Sequence, residues 1–138
     1  MVSAKKPPPI TSIAKFSPAE LARFFSGSAD QPFTMALRII VAKWAVPILH
    51  HLHQNHGATR FTALLRALRP ITRKELTRQL RDLEKAGLIT RCVFPVIPAR
   101  VEYSLTAFGS TLKEPIVALA RWASGHAAQL RRGVLKKD

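Results

Sequence analysis

The stretch Ile71 to Leu88, ITRKELTRQLRDLEKAGL, limits the possible folds of this chain more than any other. Leu76, Leu80 and Leu83 recur at spacings of four and three, which sets them on one face of a helix. At about 100° per residue, Lys74, Thr77, Arg78, Arg81 and Lys85 fall away from that face. Thr72 opens the segment as an N-cap, and Glu75 three residues on completes a capping-box pattern. Gly87 closes it where a left-handed residue is needed. The pattern predicts a short helix with leucines inward and a cationic, hydrogen-bonding stripe outward.

That stripe belongs to a strongly basic chain. The 138 residues carry a formal net charge of +14, which favours a polyanionic partner. Between Arg60 and Arg100 stand ten basic residues and three acids, Glu75, Asp82 and Glu84. Charge alone does not separate DNA from RNA or an acidic membrane. A hydrophobic fraction of 47% argues against general disorder, and the length suits one domain with a real core. No apolar run approaches the roughly 18–20 residues of a membrane span. The opening MVSAKKPPPI lacks the apolar core of a secretory signal. The single cysteine cannot form an internal disulfide, which suits a reducing cytoplasm.

Along the chain, residues 1–16 read as an extended arm, with Pro7, Pro8 and Pro9 stiffening it and Lys5, Lys6 and Lys15 solvated or near phosphates. Ser17, Pro18 and Glu20 mark a strong helix start, and Leu21, Phe24 and Phe25 need something to pack on. Pro32 starts a second helix bearing Phe33, Ala36, Leu37 and Ile40. A third runs over roughly 43–54, with Pro47 confined to its first turn, since an interior proline costs about 3 kcal/mol or more. His50 and His53 share a face there, but no Cys or carboxylate stands nearby to complete a metal site, so no metal or other cofactor is expected. Phe61, Leu64, Leu65 and Leu68 form the next amphipathic helix, capped by Thr59 and stopped by Pro70. Two helices joined by so short a turn, the second basic outside, have a helix-turn-helix layout.

After Gly87 the period changes. Leu88 to Phe94 and Val101 to Leu105 read as strands, and Pro95 and Pro98 between them remove ladder donors. The expectation is a β-hairpin wing with a proline-stiffened tip, hence a mainly α winged helix-turn-helix. A last helix from about Ala107 to the Leu130 region should kink or break locally at Pro115. It is more apolar than one small body needs, so part of it should bury against a second copy. The organisation expected is an arm with a short helix over 1–30, a winged-helix domain with dimerising terminal helices over 31–131, and a basic tail over 132–138.

Lys43-Trp44, Arg60-Phe61 with Leu64 and Leu68, Leu76-Thr77 with Leu80-Arg81 and Leu83-Glu84, Gly87-Leu88-Ile89, and the string from Phe94-Pro95 through Pro98-Ala99-Arg100-Val101-Glu102-Tyr103-Ser104-Leu105-Thr106 to Gly109 resemble HxlR-type winged-helix transcriptional regulators. The resemblance spans roughly Pro32 to Trp122. It implies a dimeric, cytoplasmic, prokaryotic DNA-binding regulator whose terminal helices pair and whose wings lie against minor grooves. Three positions depart from it. Gln31 stands where many members carry a sensing cysteine, Ala42 replaces the glycine before Lys-Trp, and Pro47 replaces an aliphatic residue.

The major groove is wide enough to admit a helix, and residues near its N-terminus reach base edges. Thr72, Arg73, Lys74, Thr77 and Arg78 are therefore the candidate base readers, with Arg81 and Lys85 over the backbone. Arg60 is a phosphate candidate and Arg100 a minor-groove candidate; Glu75 and Asp82 are expected to pair with neighbouring arginines. Phe33, Leu37, Ile116, Leu119 and Trp122 are the candidate dimer contacts, and Tyr103 is expected in the core. Cys92 reads as a buried strand residue or, alternatively, as a redox sensor beside Arg91. The competing class is a nucleoid-type or RNA-binding protein without a defined site. No phosphate-binding glycine loop, carboxylate pair or nucleophile–base spacing points to an enzyme.

Overall fold

The computed structural model describes residues 15–135, in two compact units that meet in the chain between Val41 and Ala42. The expected extended arm lies mostly, and the expected basic tail partly, outside the described residues.

The first unit holds α1 (Pro18–Phe24) and α2 (Pro32–Ile40). α1 starts as its residues dictate: the Ser17 amide donates to Glu20 Oε2 at 2.7 Å, and the Glu20 amide donates to Ser17 Oγ at 3.2 Å. The same bond from the Ser17 backbone, then that from its side chain, holds the Glu20 carboxyl below its ordinary range. Gln31 precedes α2 without a capping bond from its side chain. Neither helix buries a residue. Edge-on ring pairs, Phe16 with Phe24 and Phe25 with Phe33, are the local packing.

The second unit runs α3 (Ala45–Gln54), β1 (Thr59–Arg60), α4 (Phe61–Ala67), α5 (Arg73–Lys85), β2 (Ile89–Phe94), β3 (Arg100–Leu105), α6 (Ala107–Ser110), α7 (Lys113–Gly125) and α8 (Ala127–Leu135). Its core takes Ile48, Leu49 and Leu52 from α3, Leu64 from α4, and Leu76, Leu80 and Leu83 from α5. Leu88, Ile89 and Tyr103 close it from the sheet side. Pro47 sits in the first turn of α3, where it removes no intrahelical bond.

The expected hairpin is part of a three-stranded antiparallel sheet, ordered β1-β3-β2. Thr59 pairs with Tyr103 and Arg60 with Glu102. This corrects the role given to Thr59: it is a buried strand residue whose Oγ1 accepts from Asn55 Nδ2 at 3.2 Å, and Arg60 precedes α4 with no side-chain cap.

The single C-terminal helix is also corrected. It is three helices, broken at Thr111–Leu112 and at His126, and Pro115 is the third residue of α7. Proline is tolerated there because the first amides of a helix have no intrahelical acceptor; of the kink or local break expected, it is a break that occurs, just before Pro115. Gly109 in α6 is set by space: a Cβ there would overlap the Leu88 carbonyl oxygen. Thr106 ties the same corner, its hydroxyl donating to the Gly87 carbonyl at 2.7 Å and accepting from the Gly109 amide at 2.9 Å. The end of α5 is thereby joined to the start of the C-terminal helices.

Candidate nucleic-acid interface

α5 is bounded as its sequence requires. The Thr72 amide donates to Glu75 Oε2 at 2.9 Å, and the Glu75 amide donates to Thr72 Oγ1 at 3.1 Å. The Thr72 amide, and less strongly its hydroxyl, Lys43 and Arg78, hold the Glu75 carboxyl below its ordinary range. At the other end Gly87 takes φ +78°, the left-handed conformation a non-glycine side chain resists. Leu76, Leu80 and Leu83 are buried and turn the opposite face outward.

On that face Lys74, Arg78, Arg81 and Lys85 are exposed, and Thr72 and Arg73 are exposed at the start of the helix. Thr77 is half-buried, because one residue on from Leu76 leaves it on the flank of the stripe. The expected pairing of Glu75 and Asp82 with arginines is corrected. Glu75 is spent on the cap, and the ion pair found among the described residues is Arg100 with Glu102. Among the described residues, the cations of α5 therefore stand without carboxylate partners at ion-pair distance. Arg73 is steered by the Phe61 ring of α4, its guanidinium carbon 5.7 Å from the ring centroid.

The wing supports Arg100 from two sides. Its guanidinium carbon lies 4.2 Å from the Phe94 ring centroid, and Nε lies 3.4 Å from Glu102 Oε2, an ion pair without hydrogen-bond alignment. Register explains the grouping, since Phe94 pairs with Arg100, and Cys92 and Arg60 both pair with Glu102. Opposed residues share a face, so Arg60, Cys92, Phe94, Arg100 and Glu102 occupy one side of the sheet. Tyr103, Thr59 and Ile89 face the core on the other. Cys92 is consequently exposed, which overturns its reading as a buried strand residue. Arg91, one position away, projects to the opposite face, and the cross-strand neighbour of the thiol is an acid.

The candidate dimer contacts fall in both units. Phe33 and Leu37 are exposed on α2. On α7, Leu119 is 56% and Trp122 55% exposed, while Ile116 is half-buried. Neither α7 nor α8 buries any residue. Trp122 stacks on His126, which donates from Nδ1 to the Trp122 carbonyl at 2.8 Å. His50 and His53 lie on α3; desolvation, then Lys113, His56 and His50, pushes the His53 pKa down. Among the described residues no three His, Cys, Asp or Glu gather as a metal site requires, and no single helix is long and apolar enough to cross a membrane.

Two arginines went unsingled in the sequence. Arg66 and Arg69 line an open cleft with Arg73 at the corner of α4 and α5. Their gathering with Arg73 depends on how α4 and α5 meet across the turn, which no local sequence pattern displays.

A short helix, a tight turn, a capped helix with an uncompensated cationic face and a sheet carrying an arginine define a winged helix-turn-helix transcriptional regulator. The chain belongs to the HxlR-like helix-turn-helix family, whose model matches residues 39–131. It is 41% identical over 90 residues to the HTH-type transcriptional regulator YtcD of Bacillus subtilis, covering 65% of this chain and 70% of that protein. A MarR-family transcriptional regulator from Enterococcus faecalis superposes with a TM-score of 0.63 at 35% identity, over 78% of this chain and 96% of that one. The redox regulator HypR in its reduced form gives 0.64 at 35% identity, over 72% and 96%.

Proposed function

We propose that this regulator binds a specific double-stranded DNA site as a homodimer in the cytoplasm of a prokaryotic cell. α5 lies in the major groove, with Thr72, Arg73, Lys74 and Arg78 at base edges, Thr77 at their margin, and Arg81 and Lys85 over phosphates. Arg60 meets the backbone, and Arg100 reaches the minor groove from the wing. The observation that carries this reading is the exposed cationic face of α5, left without carboxylate partners while its leucines are buried.

Two copies are needed because the apolar face of α7 is uncovered in one. Leu119 and Trp122, with Ile116 on the same helix and Phe33 and Leu37 on α2, supply the contact between protomers. The protein acts by binding and carries out no reaction of its own.

Selection of binding sites from random duplex DNA tests the proposal. A pseudo-palindrome with half-sites about one helical turn apart is the expected result. Recovery of no preferred sequence would make the protein a nucleoid-type binder, and preference for single-stranded RNA would remove α5 from the major groove.

A further inference from the structure

The corner between α4 and α5 holds a hollow whose Arg66 and Arg69 have no role given so far. Thr62, Leu65, Arg66, Arg69, Ile71 and Arg73 line it, enclosing about 420 Å³. Ile71 is buried and Leu65 half-buried, so the floor is apolar, while the three arginines are exposed walls. Three like charges share this opening, and no described carboxylate lies within ion-pair distance of any of them. Glu75, the acid closest to it in the chain, has its carboxylate engaged by the Thr72 amide and hydroxyl at 2.9 and 3.2 Å. Arg73 is also the first residue of α5, so the cleft borders the face that meets DNA in the proposed complex.

The chemistry of the walls selects the ligand. Guanidinium forks match phosphate oxygens with paired hydrogen bonds, and the Thr62 hydroxyl adds a donor. An apolar floor offers nothing to a small hydrated ion but suits the face of a sugar. We infer that the cleft seats one backbone phosphate of the duplex with its deoxyribose, clamped by Arg66 and Arg69 beside Arg73. The inference rests on α5 being the DNA-reading helix. Arg66 and Arg69 would then set the depth at which α5 enters the groove and carry no sequence information themselves.

The test measures duplex affinity against salt for the full chain and for the R66A/R69A double variant, on the selected site and on an unrelated duplex. Log K should fall with log salt at about 0.9 per phosphate neutralised. The double variant is expected to lower that slope by roughly one to two units on both duplexes, with the preferred sequence unchanged. R66K/R69K, which keeps the charge, should retain most of the slope. Both arginines are exposed, so thermal melts should coincide with that of the unaltered protein. A slope unchanged in R66A/R69A, or an altered base preference, overturns the inference while leaving duplex binding intact. Side-chain resonances of Arg66 and Arg69 that shift with inorganic phosphate while the slope stays unchanged would assign the cleft to a free anion, also overturning it. No duplex binding by the unaltered chain would instead defeat the underlying reading of α5.

Discussion

α5 and α7 are both amphipathic helices of 13 residues, and the chain treats them in opposite ways. α5 has its leucine stripe fully covered, starts on a capping box and ends on a left-handed glycine. α7 starts at Leu112 with no side-chain cap, ends at His126 and leaves Leu119 and Trp122 more than half exposed. A single copy thus completes the helix proposed to meet DNA and leaves uncovered the one proposed to meet a second copy. A large contiguous apolar patch is uncommon on a monomeric protein. In the proposed dimer, this contrast assigns positional rigidity to α5 and association to α7.

Substitutions can break this comparison, the largest effect coming first. Leu80→Ala removes a fully buried side chain and should cost about 2–5 kcal/mol of unfolding free energy, read from urea denaturation; a loss below 1 kcal/mol would mean that α5 is not packed as described. Trp122→Ala should leave the fold of the protomer intact and weaken self-association by about 2 kcal/mol, as large aromatic contacts do, read by sedimentation equilibrium. Unchanged association would move the interface off α7. Gly109→Ala should destabilise by about 1–3 kcal/mol, the usual cost of overpacking, because its methyl would meet the Leu88 carbonyl.

The smallest effect concerns the cap of α5. Thr72→Ala should cost about 1 kcal/mol. Because the folded Glu75 carboxyl titrates below its ordinary value, its contribution is present above the unfolded pKa and fades as pH falls through the folded one. The stability difference between Glu75→Gln and the unaltered protein should therefore shrink on acidification below about pH 4.5. A difference that held constant there would separate Glu75 from the cap.

What could be read from the chain was local. The Ser17 and Thr72 caps and Gly87 announce themselves within three or four residues, and the structure forms all three. The heptad-like leucines of α5 face the core for the same reason. The misreadings needed distant information. β1 is two residues long and exists only through its pairing with β3, which no local pattern displays. The break at Thr111–Leu112 carries no glycine or proline, whereas Pro115, the visible signal, lies where a helix tolerates it. Cys92 was legible in part. Counting by twos from buried Ile89 puts residue 92 on the outer face, but β2 is mostly apolar and hides that phase. The cleft of Arg66, Arg69 and Arg73 depends on how α4 and α5 meet, which their sequences do not state.

Affinity of Arg78→Ala on the selected site and on all its single-base-pair variants tests the central claim most directly. The account predicts a loss confined to one or two base pairs, about 1–3 kcal/mol of lost discrimination there, with the salt slope nearly unchanged. An equal loss on every sequence, or no loss, would contradict α5 as the helix that reads DNA bases.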